Sequence, residues 1–273
     1  MFKRFITQAC LCAVSVGAAF ISPAVAGPLD DALTAKLLPG WRLADGRHMA
    51  ALEVTLAPGW KTYWRAPGDA GIPPQFDWRG SGNLKGVQIS WPTPEVLDQD
   101  GLQVIGYSDK MVLPLMVRPN SAMRDVTLNG EIQMGVCKDV CIPVTVRVDQ
   151  RLDRTQTKPD ARIAAAMADR PYSAQEAKVG QVSCQVTPIE DGLRLTAEVN
   201  LPKSGGREVA VIETDNPQVW VAQAKTSRKG KSLTAVTELY HVEGRSFALN
   251  RSGVRITVIG STHAVDIQGC PAG

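Results

Sequence analysis

Histidine is scarce in this chain, and the three present, His48, His241 and His263, share no ligand spacing with one another or with any cysteine. A zinc site would also want a second close cysteine pair, which is missing. No Gly-rich phosphate loop, serine nucleophile elbow or helical His-Glu-x-x-His pattern occurs, which removes the commonest hydrolase and nucleotide chemistries. Beyond the first 26 residues no apolar run approaches the roughly 20 residues of a membrane-crossing helix. Charge of one sign is lacking too, with 30 Lys and Arg against 27 Asp and Glu. A near-neutral surface argues against nucleic acid or anionic membrane as the main partner. Short-period repeats and low-complexity tracts are absent.

The start of the chain is more explicit. Lys3 and Arg4 precede an apolar run from Ala9 to Ile21, and Ala24-Val25-Ala26 places small residues at cleavage positions. This is the layout of a secretory signal peptide. The mature chain is expected to begin near Gly27, soluble and exported to the periplasm, with Cys10 and Cys12 leaving in the leader. Four cysteines then remain: Cys137, Cys141, Cys184 and Cys270. In an oxidising compartment an even count reads first as disulfides. Closing about 87 residues between Cys184 and Cys270 is worth roughly 4.6 kcal/mol by chain entropy, whereas a five-residue loop gives only ~2 kcal/mol. The distant pair reads as a structural staple, and the close pair has room for a chemical role.

That close pair lies in Gly135-Val-Cys-Lys-Asp-Val-Cys-Ile-Pro143, between two alternating stretches. Upstream, Val126, Leu128, Ile132, Met134 and Val136 take every second position, and downstream Ile142, Val144, Val146 and Val148 do the same. Period two marks half-buried strands, and Lys138, Asp139 and Val140 can serve as a hairpin loop. Cys137 then lies opposite Cys141, close enough for a disulfide. Both are out of phase with the apolar set, so both are expected to leave the sheet away from the core. Lys138 would favour a thiolate and Asp139 would oppose it.

Elsewhere Leu52, Val54 and Leu56, then Val87, Ile89 and Trp91, then Val112 to Val117 form short strand patterns. Pro58-Gly59, Pro67-Gly68 and Pro73-Pro74 punctuate them. Residues 161–170 are alanine-rich, with Pro159 just ahead and Pro171 behind, and read as a short helix. Alternation resumes at Leu193, Leu195, Ala197 and Val199, and again at 209–212, 219–222 and 254–258. The expected architecture is all-β, two immunoglobulin-like antiparallel β-sandwich domains joined by a short helical linker. The boundaries are 1–26 for the leader, 27–152 for the first sandwich, 153–175 for the linker and 176–273 for the second. Cys184 is in phase with Val182 and Val186, facing the second core. Cys270 is one residue out of phase with Val265 and Ile267, a mismatch that a bulge at Gly269 could correct.

The run from Pro58 to Pro74 (Pro-Gly-Trp-Lys-Thr-Tyr-Trp-Arg-Ala-Pro-Gly-Asp-Ala-Gly-Ile-Pro-Pro) resembles the amino-terminal periplasmic domain family of the thiol:disulfide interchange proteins DsbD and ScsB. So do Trp91-Pro92, Gly106-Tyr107, Leu113-Pro114 and the cysteine block, over roughly Trp41 to Val148. The resemblance implies a sandwich whose cysteine pair shuttles between dithiol and disulfide, with Cys141 forming the mixed disulfide and Cys137 resolving it. It further implies a membrane electron-transfer partner of the DsbD/CcdA type and periplasmic thioredoxin-like clients. Tyr107 falls where the family carries a loop capping the cysteines. The cysteine spacing is shorter than in DsbD itself and nearer the ScsB pattern. The sequence carries neither the membrane part nor the carboxy-terminal thioredoxin-like domain of the family, so another polypeptide is expected to supply electrons.

Two other readings stand beside thiol–disulfide exchange, which needs no organic cofactor. Cys137, Cys141 and Met134 are soft donors suited to Cu(I), and ScsB-type systems are associated with copper tolerance. A plain binding module without redox chemistry is the other. Trp60, Tyr63 and Trp64 read as core and turn packing rather than as a ligand platform.

Overall fold

A computed structural model describes residues 32–99 and 101–273. The leader peptide expected over residues 1–26 lies outside the described residues. The first sandwich uses ten strands: β1 (Leu33–Arg42), β2 (His48–Leu56), β3 (Lys61–Tyr63), β4 (Gln75–Asp77) and β5 (Leu84–Ile89), then β6 (Glu95–Gln99), β7 (Leu102–Ser108), β8 (Lys110–Pro119), β9 (Val126–Cys137) and β10 (Cys141–Leu152). One sheet runs β1-β2-β8-β5 and the other β10-β9-β3-β7-β6, with β4 also paired to β9. Leu52, Leu113 and Leu115 of the first sheet and Leu128, Ile132 and Val136 of the second are buried in the core between them.

β9 shows the alternation expected of a strand with one face inward, buried residues alternating with exposed or half-buried ones over its first nine positions. β2 does not: eight of its nine residues are buried. The reason is the helix α1 (Ala161–Ala168), which lies on the outer side of this sheet. Ile163 packs there against Leu38, Met49 and Ala51, so odd and even positions of β2 are both covered. Asp160 caps the helix, its carboxylate accepting from the Arg162 amide at 2.9 Å. A second tie is the buried Glu53, which faces Lys36 at 3.0 Å, Lys110 at 2.8 Å and helix residue Arg162 at 3.6 Å. The helix of the linker thus packs on the first sandwich, whereas Tyr172 and Ser173 at the linker's end pair with Val265 and Asp266 in the second half of the chain.

The second sandwich comprises β11 (Tyr172–Ser173), β12 (Val182–Ile189), β13 (Gly192–Asn200), β14 (Val209–Glu213) and β15 (Val219–Val221), with β16 (Lys225–Lys229), β17 (Ser232–His241), β18 (Arg255–Ile259) and β19 (Ala264–Gln268). Its sheets run β11-β19-β18-β14 and β12-β13-β17-β15, β16 also pairing with β17. Cys184 and Cys270 are bonded and buried in this core, with Cα atoms 5.5 Å apart. β19 ends at Gln268, and Gly269 turns the chain in the left-handed region at φ +89°. A turn past the strand end, rather than a bulge within it, brings Cys270 inward. The two sandwiches touch through apolar side chains, Val209, Ile259 and Ala264 continuing the core of the first.

Burial also creates an acid-sensitive point. His48 of β2 is fully buried; its Nε2 lies 2.7 Å from the Pro39 carbonyl oxygen and its Nδ1 has no partner. Desolvation pushes the imidazole below its ordinary 6.5, so the folded protein holds it neutral. Below that value the unfolded chain binds a proton that the folded chain refuses. Stability is therefore complete above pH 6.5 and declines as pH falls toward the lowered folded value. Glu53, held below its ordinary 4.5 by Lys110 and then Lys36, contributes its stability above pH 4.5 and loses it only as pH falls further. Urea midpoints are expected to fall as pH drops below 6.5, and a His48→Gln variant should be flatter there. Equal slopes for the two proteins would remove His48 as the cause.

Candidate functional site

The β9–β10 hairpin pairs residue for residue from Val126↔Leu152 to Cys137↔Cys141, leaving Lys138, Asp139 and Val140 as the loop. The two cysteines are bonded, with Cα atoms 4.1 Å apart. Strand phase decides their surroundings. Ile132, Met134 and Val136 point into the main core, so Gly135 and Cys137 point to the other side of the sheet. That side is not open. Cys137 is fully buried in a small second cluster with Tyr63 and Val104, flanked by Ala70, Leu97 and Cys141. Cys141 is only partly covered. The sequence expectation that both side chains leave the sheet on the face away from the main core therefore holds, but that face is itself covered at Cys137. A period-two pattern identifies the face of a strand but not what lies over it.

Two side chains cover the sulfurs with polar groups. The Tyr63 hydroxyl lies 2.8 Å from Cys137 Sγ and 3.1 Å from Cys141 Sγ. It also lies 3.1 Å from Gln99 Oε1, whose amide Nε2 donates to Cys141 Sγ at 2.8 Å. Tyr63 reaches this position because β3 pairs with β9 through Lys61↔Cys137 and Thr62↔Val136. Gln99 ends β6, and the Lys61 Nζ holds the same hairpin by donating to the Asp98 carbonyl at 2.7 Å. Neither Tyr63 nor Gln99 was singled out from sequence as a sulfur contact. Tyr63 read as packing, although its place one residue from Trp64, which is in the core, already put it on the opposite face.

Tyr107 is not the cap. It is the cross-strand partner of Thr62, and β7 alternates so that Ile105 and Tyr107 face the main core while Val104 faces the cysteines. Its buried hydroxyl donates to the Pro92 carbonyl at 2.9 Å. Lys138 and Asp139 are exposed on the hairpin tip, where the Lys138 stem lies beside Gly59. The soft-donor trio does not assemble, since Met134 sits in the core on the far side of β9 from Cys137. Among the described residues no three His, Cys, Asp or Glu side chains come together as a metal cluster.

The chemistry follows from the donors. Burial pushes the Tyr63 phenol up from its ordinary 10.0, so it keeps its proton and can donate. Gln99 Nε2 can only donate. A disulfide sulfur is a weak acceptor and a thiolate a strong one, so donors at this position interact more strongly with an ionised sulfur than with a bonded one. Gln99 Nε2 donates to Cys141 Sγ, the single Tyr63 proton is shared between Gln99 Oε1 and the sulfurs, and Cys141 is the less buried of the two cysteines, so it is the better placed for attack.

Residues 34–153 match the model of a family described as thiol:disulfide interchange protein DsbD, N-terminal. Among solved structures, the N-terminal periplasmic domain of ScsB from Proteus mirabilis is similar, with a TM-score of 0.67 and 21% identity, covering 91% of this chain and 97% of that one. At that identity the likeness speaks for the fold. No curated protein matches. The family match covers the stretch in which the cysteine block and the proline-rich run carry the resemblance.

Proposed function

We propose that this chain, whose residues 34–153 match the DsbD amino-terminal domain family, relays electrons in the periplasm through reversible opening of Cys137–Cys141. The observation that carries the reading is the asymmetry of the pair. One cysteine is fully buried and the other only half-buried, and both sulfurs lie beside the Tyr63 hydroxyl, with the Gln99 amide on Cys141. In the reduced form the Cys141 thiolate attacks a client disulfide, forming a mixed disulfide and releasing one client thiolate. The Cys137 thiolate then attacks Cys141 Sγ, restoring the internal disulfide and releasing the second client sulfur. Two electrons pass to the client, and no cofactor is required. The reverse sequence, with a membrane electron-transfer protein of the DsbD/CcdA type as donor, recharges the pair.

Thioredoxin-fold proteins are the expected clients. Exposed apolar side chains on three segments bordering the pair, Ile72, Leu102 and Val140, suit a transient apolar docking face. The test is to replace Cys137 with Ser and isolate covalent adducts from the exporting compartment. Adducts of Cys141 with thioredoxin-like or membrane redox proteins are expected, reversible by dithiothreitol. Absence of adducts from both single-cysteine variants would sink the relay.

A further inference from the structure

The hydrogen bonds to the two active-site sulfurs come from Tyr63 and Gln99 of the first sandwich, yet the second sandwich grips the segment that continues from Tyr63. β3 is only three residues long, and its pairing with β9 stops at Thr62. Trp64 then enters the main core, and the chain continues into Arg65. Its guanidinium meets Glu213 of β14 in a two-pronged pair, Nε to Oε1 at 3.0 Å and the NH2 group to Oε2 at 2.9 Å. Thr257 Oγ1 of β18 lies at 3.5 Å, and the guanidinium plane sits 3.8 Å over the Trp64 ring. The pair is mostly shielded from water, with 15% and 21% of the two side chains exposed.

Four residues on, Asp69 accepts from the Gln223 amide of the second sandwich at 3.1 Å. The chain then folds back across Tyr63. A Cβ at Gly71 would stand 3.0 Å from Tyr63 Cδ1, and one at Gly135 would stand 2.9 Å from both Tyr63 Cδ2 and Ile72 Cβ. The phenol ring is thus held between the returning strap of residues 64–73 and the strand that carries Cys137.

We propose that Arg65, through its fork on Glu213, is a positioning residue: the second sandwich uses it to hold Tyr63, and with it the hydrogen-bond cover, over the cysteine pair. A hydroxyl 2.8 Å from a sulfur is effective only while its ring is fixed. The strap is anchored to the second sandwich at two points, so loosening either lets the ring drift. The proposal assigns the second sandwich a part in setting sulfur reactivity, and it deepens the relay reading without depending on any client.

The test measures the pH dependence of Cys141 alkylation by iodoacetamide in the full chain with Cys137→Ser, so that one thiol is followed. Tyr63→Phe sets the full size of the effect and should move the midpoint up by about one pH unit, a ten-fold loss of thiolate at neutral pH. Arg65→Gln and Glu213→Gln should each move it the same way, by roughly three-fold or more in thiolate. The double variant should go no further than the worse single, because one pair is being broken. Arg65→Lys, which keeps the charge without the fork, should fall between. Asp69→Ala, at the second anchor, should shift the midpoint upward as well, and it serves if an Arg65 variant does not fold. Midpoints for folded Arg65 and Glu213 variants equal to that of the parent would overturn the proposal. Alkylation reports the thiol alone, so failure here leaves adduct trapping intact, and failure of adduct trapping leaves this result intact.

Discussion

A variant with alanine at both Cys184 and Cys270 should lose about 4.6 kcal/mol of stability, the largest single loss expected anywhere in this molecule. The bridge spans 86 positions, so opening it returns to the unfolded chain the freedom of a long loop. Both sulfurs are also buried against Leu195, Ala197 and Val265, so removing them leaves part of that core unfilled. The Cys137–Cys141 link spans four positions and is worth about 2 kcal/mol on the same reasoning. Equilibrium urea unfolding of the two double-alanine variants decides the matter. A loss at the distant pair no greater than at the close pair would refute the division into a staple and a working disulfide.

Gly106→Ala is the second large effect, expected to cost about 3 kcal/mol and to disarm the cysteine pair together. Gly106 lies in β7 opposite Tyr63 of β3 on one side and Glu95 of β6 on the other. A methyl group there would run into the Thr62 carbonyl oxygen, a backbone atom that cannot swing aside. Relief requires β3 to move away from β7, which stretches the bond from the Trp64 amide to the Ile105 carbonyl, now 3.0 Å. Tyr63 would move with its strand and leave the sulfurs. A lower urea midpoint should therefore appear together with a raised alkylation midpoint for Cys141. A stability loss with unchanged thiol titration would separate the strand from the site.

Much of this was readable from the residues alone. Alternation in Val126–Val136 and Ile142–Val148 placed Cys137 opposite Cys141, and that register is the one found. The alanine-rich run gave the helix, and its position on the outer face of β2 left a faint trace, since Met49 and Ala51 are apolar where Leu52 and Val54 already fill the inner face. The failures have one origin. Strand periodicity is local, whereas the cover over the sulfurs comes from β3 and β6, which lie about 74 and 38 residues before Cys137 in the chain. Tyr107 was assigned to the cap for want of that information. Its pairing with Thr62 fixes it one position out of phase with Tyr63 and turns it into the core. The fork of Arg65 on Glu213 joins residues 148 positions apart, and no pattern within either segment announces it.

The burial of one sulfur beneath Tyr63 and Val104 has a consequence for traffic. An incoming thiolate must approach along the sulfur–sulfur axis, and Cys137 is fully buried whereas Cys141 is only half-buried, so the Cys141 end is the less obstructed. Whatever loads the pair and whatever unloads it must use that single doorway. Two such visitors cannot be seated at once, so in the proposed relay delivery and collection alternate.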